Sequence, residues 1–348
     1  MSDVNTVTKI LEKLCSCDGI AGYEDEVRDA IAEMAKPYAD EMITDALGNL
    51  LVFKKGKDRR SSPLAVSAHM DEVGFMVREI TDKGMLKFLP VGSVDPRVMI
   101  GRKLKVGPQK LPGVISLKAI HMTTPEERKI APPASSLYID IGATSKKEAS
   151  KYVQIGDPCY FDSAYEEFGD QRIKSKAIDD RIGCAVMVAL LEEELAYDTW
   201  FIFATNEEIG GNRGAWVAST RIGVKRFLTI EGTTACDVPE VPLHAQSTTQ
   251  EQGCVISILD KGSVYFRDLI DRFTKRADEE DIKWQYRRSA NGLTDARAFH
   301  MAASGARGIG LATPTRYIHC ACNVAYKPDI DCVLRFARLF VKECNDNA

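Results

Sequence analysis

From Lys176 to the C-terminus, the apolar residues of this 348-residue chain repeatedly change their spacing, from unbroken short runs to positions three and four apart. The first pattern suits a strand buried on both faces, the second a helix with one covered face. In order they predict a helix through Val186–Leu195, a strand Trp200–Ala204, a helix near Ala215–Thr220 and a strand Phe227–Ile230. A strand Val255–Leu259, helices Val264–Glu280 and Asp295–Ser304, a strand near Ile309 and a closing helix Val333–Cys344 follow. This alternation calls for a sheet with helices on both faces. The chain opens the same way. Val4–Leu14 and residues 24–36, with Val27, Ala30, Ile31 and Met34 on one face, read as helices, Asp45–Asn49 as a turn, and LAVSA as a buried strand ending at His69.

Between Val73 and Asp162 the texture differs. Short runs such as FMVREI, GVISL and PCYF are broken by Gly, Pro, Asp and Lys, with almost no helical period. The expected fold is therefore α/β, a mixed central sheet flanked by helices, with a smaller all-β domain inserted at 73–163. Residues 1–72 and 164–348 would form the larger, discontinuous domain.

A formal net charge of −4 gives no basic footprint for nucleic acid or an anionic membrane. MSDVNTVTKILEKL lacks an apolar signal-peptide core, no stretch approaches the length of a membrane span, and a cytoplasmic location is expected. The ten cysteines lie mostly in apolar runs (Cys159, Cys184, Cys254, Cys332) and read as reduced core residues. Cys15/Cys17 and Cys320/Cys322 have C-x-C spacing, not that of a zinc knuckle.

Ligands of open α/β sheets gather beyond the carboxyl ends of strands. Four apolar runs here end in metal-ligand residue types: LAVSA in His69 and Asp71, FIFAT in Glu207 and Glu208, FLTI in Glu231, and RGIGLATPTRYI in His319. Asp179 and Asp180 precede the first helix of the second half. Each alone has an ordinary reading: a hydrogen-bonded histidine, a helix cap by Asp179, Asp180 or both, a solvated acidic loop. Together they suit two divalent ions, zinc, cobalt or manganese, with one carboxylate shared. Adjacent glutamates in an extended segment face apart, so one can ligate while the other acts as a base. Gly210 and Gly211 would then let the backbone approach the site closely. His121, His244 and His300 read as structural or exposed, and Asp295 as part of the site wall or a helix cap.

The motifs SAHMDEVG (67–74), KAIDDRIG (176–183), ATNEEIGGNRGA (204–215), TIEGTTACDVP (229–239) and PTRYIHC (314–320) together make the chain resemble the M42 family of metallo-aminopeptidases, which includes tetrahedral and glutamyl aminopeptidases. The resemblance spans essentially the full length. It implies that His69 and Glu231 hold one metal, Glu208 and His319 the other, and that Asp179 bridges them. Glu207 would be the general base and Asp71 the support of His69. It further implies hydrolysis of N-terminal residues from short peptides by a water between the two ions, and a homo-oligomer in which the β-rich insert builds dimers and a dodecamer. Two departures stand out. Glu231 occupies a position where many relatives carry aspartate, and Cys320 and Cys322 replace the more usual serine after the histidine. A deacylase or carboxypeptidase of the same clan, a glycoside hydrolase using paired carboxylates, and a non-enzymatic assembly protein are the competing readings.

Overall fold

The computed structural model describes residues 2–58 and 62–344. Its strands are β1 (Glu41–Thr44), β2 (Leu50–Lys54), β3 (Leu64–His69), β4 (Gly74–Ile80), β5 (Leu86–Val91), β6 (Lys103–Val106), β7 (Leu111–Ser116), β8 (Tyr138–Asp140) and β9 (Pro158–Phe161). Then come β10 (Glu166–Phe168), β11 (Arg172–Ser175), β12 (Thr199–Ala204), β13 (Arg226–Thr234), β14 (Cys254–Ser257), β15 (Trp284–Tyr286), β16 (Arg307–Thr315) and β17 (Asn323–Tyr326). Eight form one sheet in the order β1-β2-β12-β3-β13-β16-β14-β15. Its middle, β12-β3-β13-β16, is parallel, while β2 runs against β12 and β14 against β16, so the sheet is mixed.

Every residue of β3 is buried, which is why LAVSA shows no polar alternation. The helix Ile178–Leu191 is buried along its whole length. A helix with no polar face must lie inside, and this one packs between β3 and β13 and the helix Val4–Ser16. That outer helix starts at Asp3, whose carboxylate accepts from Thr6 N at 2.9 Å.

The strands β4-β5-β8-β7-β6-β9 close into a barrel. Its core holds Phe75 edge-on to Phe88 and Phe161, with centroids 5.0 and 5.2 Å apart. The same tract carries single-turn helices at Pro96–Met99 and Lys146–Ala149, too short to leave a periodic pattern. An ionic chain, exposed at its lysine end and buried from Asp18 inward, spans the seam. Lys105 of β6 and Lys110 meet Asp18 at 3.1 and 2.8 Å, Asp18 meets Lys176 at 2.8 Å, Lys176 meets Glu72 at 2.7 Å, and Glu72 meets Arg181 at 3.3 Å.

Several expected boundaries move. The helix expected from Val186 begins at Ile178, that from Val264 at Arg267, and the closing helix at Lys327, where Pro328 suits the first turn. The sheet β10-β11-β17 was not predicted; β10 is exposed throughout and has no apolar face to signal it. Among the described residues no helix is long and apolar enough to cross a membrane.

Candidate metal centre

Register aligns the first two ligand-type residues. His69 ends β3 opposite Ala204, the last residue of β12. Thr229 of β13 pairs with Ser67, so Glu231, two residues further, lies level with His69 and on the same face. The NEE loop leaves β12 beside them through Asn206, whose φ of 61° reverses the chain.

Asp179 and Asp180 divide by backbone conformation. Both have non-helical angles, and the left-handed Ala177 (φ 53°) precedes them. The Asp180 carboxylate turns inward, accepting from Gly183 N at 3.0 Å and His69 N at 3.2 Å, so Asp180 is the residue that caps the helix. Asp179 faces the cavity and accepts from Gly232 N at 3.2 Å.

The result is two groups of donors, each with atoms within 4.8 Å of one another: His69, Asp179 and Glu231, and Asp179, Glu208 and His319. His69 Nε2 is 3.6 Å from Asp179 Oδ1 and 3.6 Å from Glu231 Oε2. His319 Nε2 is 3.8 Å from Asp179 Oδ2 and 3.3 Å from Glu208 Oε2. Glu207 stands at the edge of the first group, 3.9 Å from His69 Nε2. The structure thus brings His69, Asp179, Glu207, Glu208, Glu231 and His319 to one cavity of about 840 Å³.

Hydrogen bonding fixes both imidazoles. Nδ1 of His69 is 3.1 Å from the Asp71 carbonyl oxygen and Nδ1 of His319 is 3.1 Å from that of Ser93. A carbonyl only accepts, so each Nδ1 carries its proton and each Nε2 of a neutral ring presents a lone pair to the carboxylates. Lone pairs facing lone pairs at these distances call for a cation between them, and a donor set of imidazole and carboxylate suits a divalent metal.

Electrostatics agrees. Burial, first, and mutual repulsion push the Glu207 and Glu231 carboxyls well above the usual range against the pull of His69, and Glu208 to about 7 against that of His319. Asp295 rises to about 6, burial leading and His69 opposing. Burial would lower the His69 pKa, but Asp179 and Asp71 outweigh it and raise it. The centre is short of positive charge.

Asp71 is fully buried, and its carboxylate accepts from Glu207 N and Glu208 N, both at 3.0 Å. It lies 3.5 Å from His69 Nδ1, so its main engagement is with the NEE backbone. The expectation for Gly210 and Gly211 is corrected. A Cβ on Gly210 would meet nothing within 4 Å and one on Gly211 nothing nearer than 3.8 Å; both glycines serve left-handed φ values of 74° and 81°. The close approach occurs at Gly232, where a Cβ would come 2.8 Å from Asp179.

Three further residues support the centre. Glu24 accepts from Asn206 N at 3.1 Å, Asp295 N donates to Glu231 at 3.3 Å, and Asn212 donates to Asp295 at 3.0 Å. In the sequence Glu24 reads only as an acid at a helix start, with nothing to mark it as part of the site. The Cys320 thiol is turned to Tyr317 O at 2.9 Å and that of Cys322 to Ser163 at 3.2 Å, and neither joins the donor groups. His121 and His244 lie in short 3-10 turns and His300 among aromatic rings, all outside those groups.

The profile of the M42 glutamyl aminopeptidase family matches residues 48–336. The chain is similar to an aminopeptidase from the archaeon Desulfurococcus kamchatkensis, 31% identical with a TM-score of 0.92, covering 98% of this chain and 95% of that one. A Thermotoga maritima protein described as an endoglucanase is 34% identical, with a TM-score of 0.80 and coverage of 96% and 97%. The Pyrococcus horikoshii TET1 peptidase, which can assemble into a tetrahedron or a large octahedral shell, is 28% identical, with a TM-score of 0.84 and coverage of 97% and 99%.

Proposed function

The chain belongs to the M42 glutamyl aminopeptidase family and hydrolyses N-terminal peptide bonds, and from that premise we propose that it acts on short peptides with two divalent cations. His69 and Glu231 would hold one ion and Glu208 and His319 the other, with Asp179 offering a carboxylate to both. Zinc, cobalt or manganese suits this donor set. What supports the bridge is that the two oxygens of Asp179 belong to different donor groups.

Bound there, the ions would supply Lewis acidity, polarising the scissile carbonyl and acidifying a water. The chain's own residues do the rest. Glu207 lies at the rim of the first donor group, outside both, with its carboxylate in the cavity. From there it takes the proton of the attacking water and returns it to the leaving amine. Asp71 holds the backbone of both glutamates, keeping one as ligand and the other as base.

The similarity to a protein described as an endoglucanase calls for a discriminating experiment. Paired-carboxylate glycoside hydrolysis needs no metal, whereas here two imidazoles point Nε2 into the carboxylates. Free and N-acetylated peptides and a soluble polysaccharide are assayed before and after chelation. Cleavage of free-amine peptides alone, lost on chelation and restored by zinc, cobalt or manganese, is expected. Preference for acetylated peptides would favour a deacylase, and polysaccharide hydrolysis surviving chelation a glycosidase. Glu207→Gln is expected to keep both ions by elemental analysis while turnover falls by about 10²–10⁴-fold. Full activity in that variant would remove the base assignment.

On the same reading the protein is a cytoplasmic homo-oligomer: similarity to the TET1 peptidase and the exposed Ile120, Met122 and Ile130 between β7 and β8 support self-assembly.

A further inference from the structure

The segments around His69 and Asp179 carry charges that the reaction above leaves unused: Glu72 in the first, Lys176 and Arg181 in the second. All three are buried, Arg181 completely. Charges withdrawn from water are costly, and apolar residues of similar volume often hold a fold as well. Their retention beside the ligands calls for a local reason.

Hydrogen bonding supplies it. An arginine has five N–H donors, and the acceptors around Arg181 match them. Nε donates to Met70 O at 2.7 Å, Nη1 to Leu14 O at 2.6 Å and Cys17 O at 3.3 Å, and Nη2 to Gly19 O at 3.4 Å and Glu72 Oε1 at 3.3 Å. Met70 stands between His69 and Asp71, so the guanidinium joins the turn after the first helix to the loop that carries both. Glu72 ties the same two segments, its N donating to Gly19 O at 2.9 Å and its Oε1 accepting from Gly19 N at 3.1 Å. Lys176 holds Glu72 in turn, donating to Oε1 at 2.7 Å, to Asp18 Oδ1 at 2.8 Å and to Cys17 O at 3.0 Å.

The decisive relation is one of neighbours. His69 N donates to the Asp180 carboxylate, and Met70 O accepts from Arg181. Backbone groups on both sides of the His69 side chain are therefore taken by the two residues that follow Asp179. The ligand is located from the helix that begins beside the carboxylate shared by both donor groups. Glu208 N is held by Asp71 and His319 Nδ1 by Ser93 O, neither of them through Arg181.

Resting on the two-ion reading above, we propose that Arg181, braced by Glu72 and Lys176, is a positioning residue that fixes His69 against Asp179 for the ion held by His69 and Glu231. A ligand misplaced by about 1 Å costs on the order of 10²-fold in rate.

The test uses the full-length wild type, Arg181→Lys and Glu72→Gln. Lysine keeps the charge, but a single ammonium cannot span the acceptors that the planar fork reaches. Glutamine keeps the shape of Glu72 and removes its charge. Zinc is titrated in competition with a chromophoric chelator, and melting of the metal-free proteins is followed by circular dichroism, so that metal binding is read apart from turnover and folding. Glu231→Gln, which loses a ligand of the first ion, marks the binding step that belongs to that ion. In Arg181→Lys this step is expected to weaken by about 10–100-fold while the other step holds, and kcat to fall with KM little changed. Glu72→Gln should move the same step in the same direction. A folded Arg181→Lys with both steps and kcat unchanged, or with both steps weakened alike, would overturn the inference and leave these charges to the fold. Should Arg181→Lys not fold, the same step in Glu72→Gln decides, and its constancy would overturn the inference. Wild type taking up a single zinc ion would overturn the two-ion reading instead.

Discussion

The roles proposed for Glu207 and Glu208 rely on their neighbouring N–H groups being held by one carboxylate, that of Asp71. Asp71→Asn would offer a single amide oxygen to two donors and turn an NH2 toward one of them. Leaving a buried donor unmet costs about 1–3 kcal/mol, and loosening the support of a metal ligand costs about 10–100-fold in affinity or activity. Asp71→Asn is therefore expected to melt earlier, bind zinc more weakly by titration and turn over more slowly. Unchanged zinc affinity and turnover would show that the clamp is dispensable. His69, Glu208, Glu231 and His319 were legible in the sequence because each stands at or just past the end of an apolar run. The division between Asp179 and Asp180 came from the family resemblance alone and not from local pattern, since it depends on backbone angles at two successive residues.

Elements were legible where they bury a continuous face and obscure where they do not. β3 and β12 announce themselves as apolar runs, and the parallel pairing of β3 with β12 on one side and β13 on the other brings His69, Ala204 and Glu231 level. The exposed β10 gave no such sign, and the closing helix was read short because its first turn carries Asp329 among polar residues. That aspartate ties the helix to the loop before β14, accepting from Glu251 N and Gly253 N at 2.8 Å each. Burial raises its pKa to about 7, the two N–H donors opposing. The native state then holds this proton more tightly than the unfolded chain does. The stability Asp329 contributes is full below its unfolded pKa near 3.8 and is lost as pH rises through about 7. The difference amounts to about 1.4 kcal/mol for each pH unit separating the two pKa values. Denaturant titrations of wild type and Asp329→Asn at intervals from pH 4 to about 8 should show the variant with the flatter profile. Parallel profiles would mean that the carboxylate is ionised throughout.

At the scale of the whole molecule, the barrel is joined to the candidate metal centre by charge. Lys105 and Lys110 reach Asp18, and Asp18 reaches Lys176, three residues before Asp179. The segment between β7 and β8 is different. Ile120, Met122 and Ile130, between β7 and β8, are 72%, 63% and 71% exposed, an apolar group that a lone chain has no use for. Covering an isoleucine side chain is worth about 1.5–3 kcal/mol, and each 1.4 kcal/mol is a tenfold change in an association constant. A contact that covers two of them would be weakened by at least about a hundredfold when both become aspartate, since charge is then buried as well. Light scattering and sedimentation of wild type are expected to give a multiple of the 38.5 kDa chain mass, and Ile120→Asp/Ile130→Asp a smaller one. Both positions lie outside the donor groups, so metal content should be retained, which separates loss of assembly from loss of folding. A wild type that stays monomeric, or a variant that keeps the full mass, would show that this surface holds no copies of the chain together.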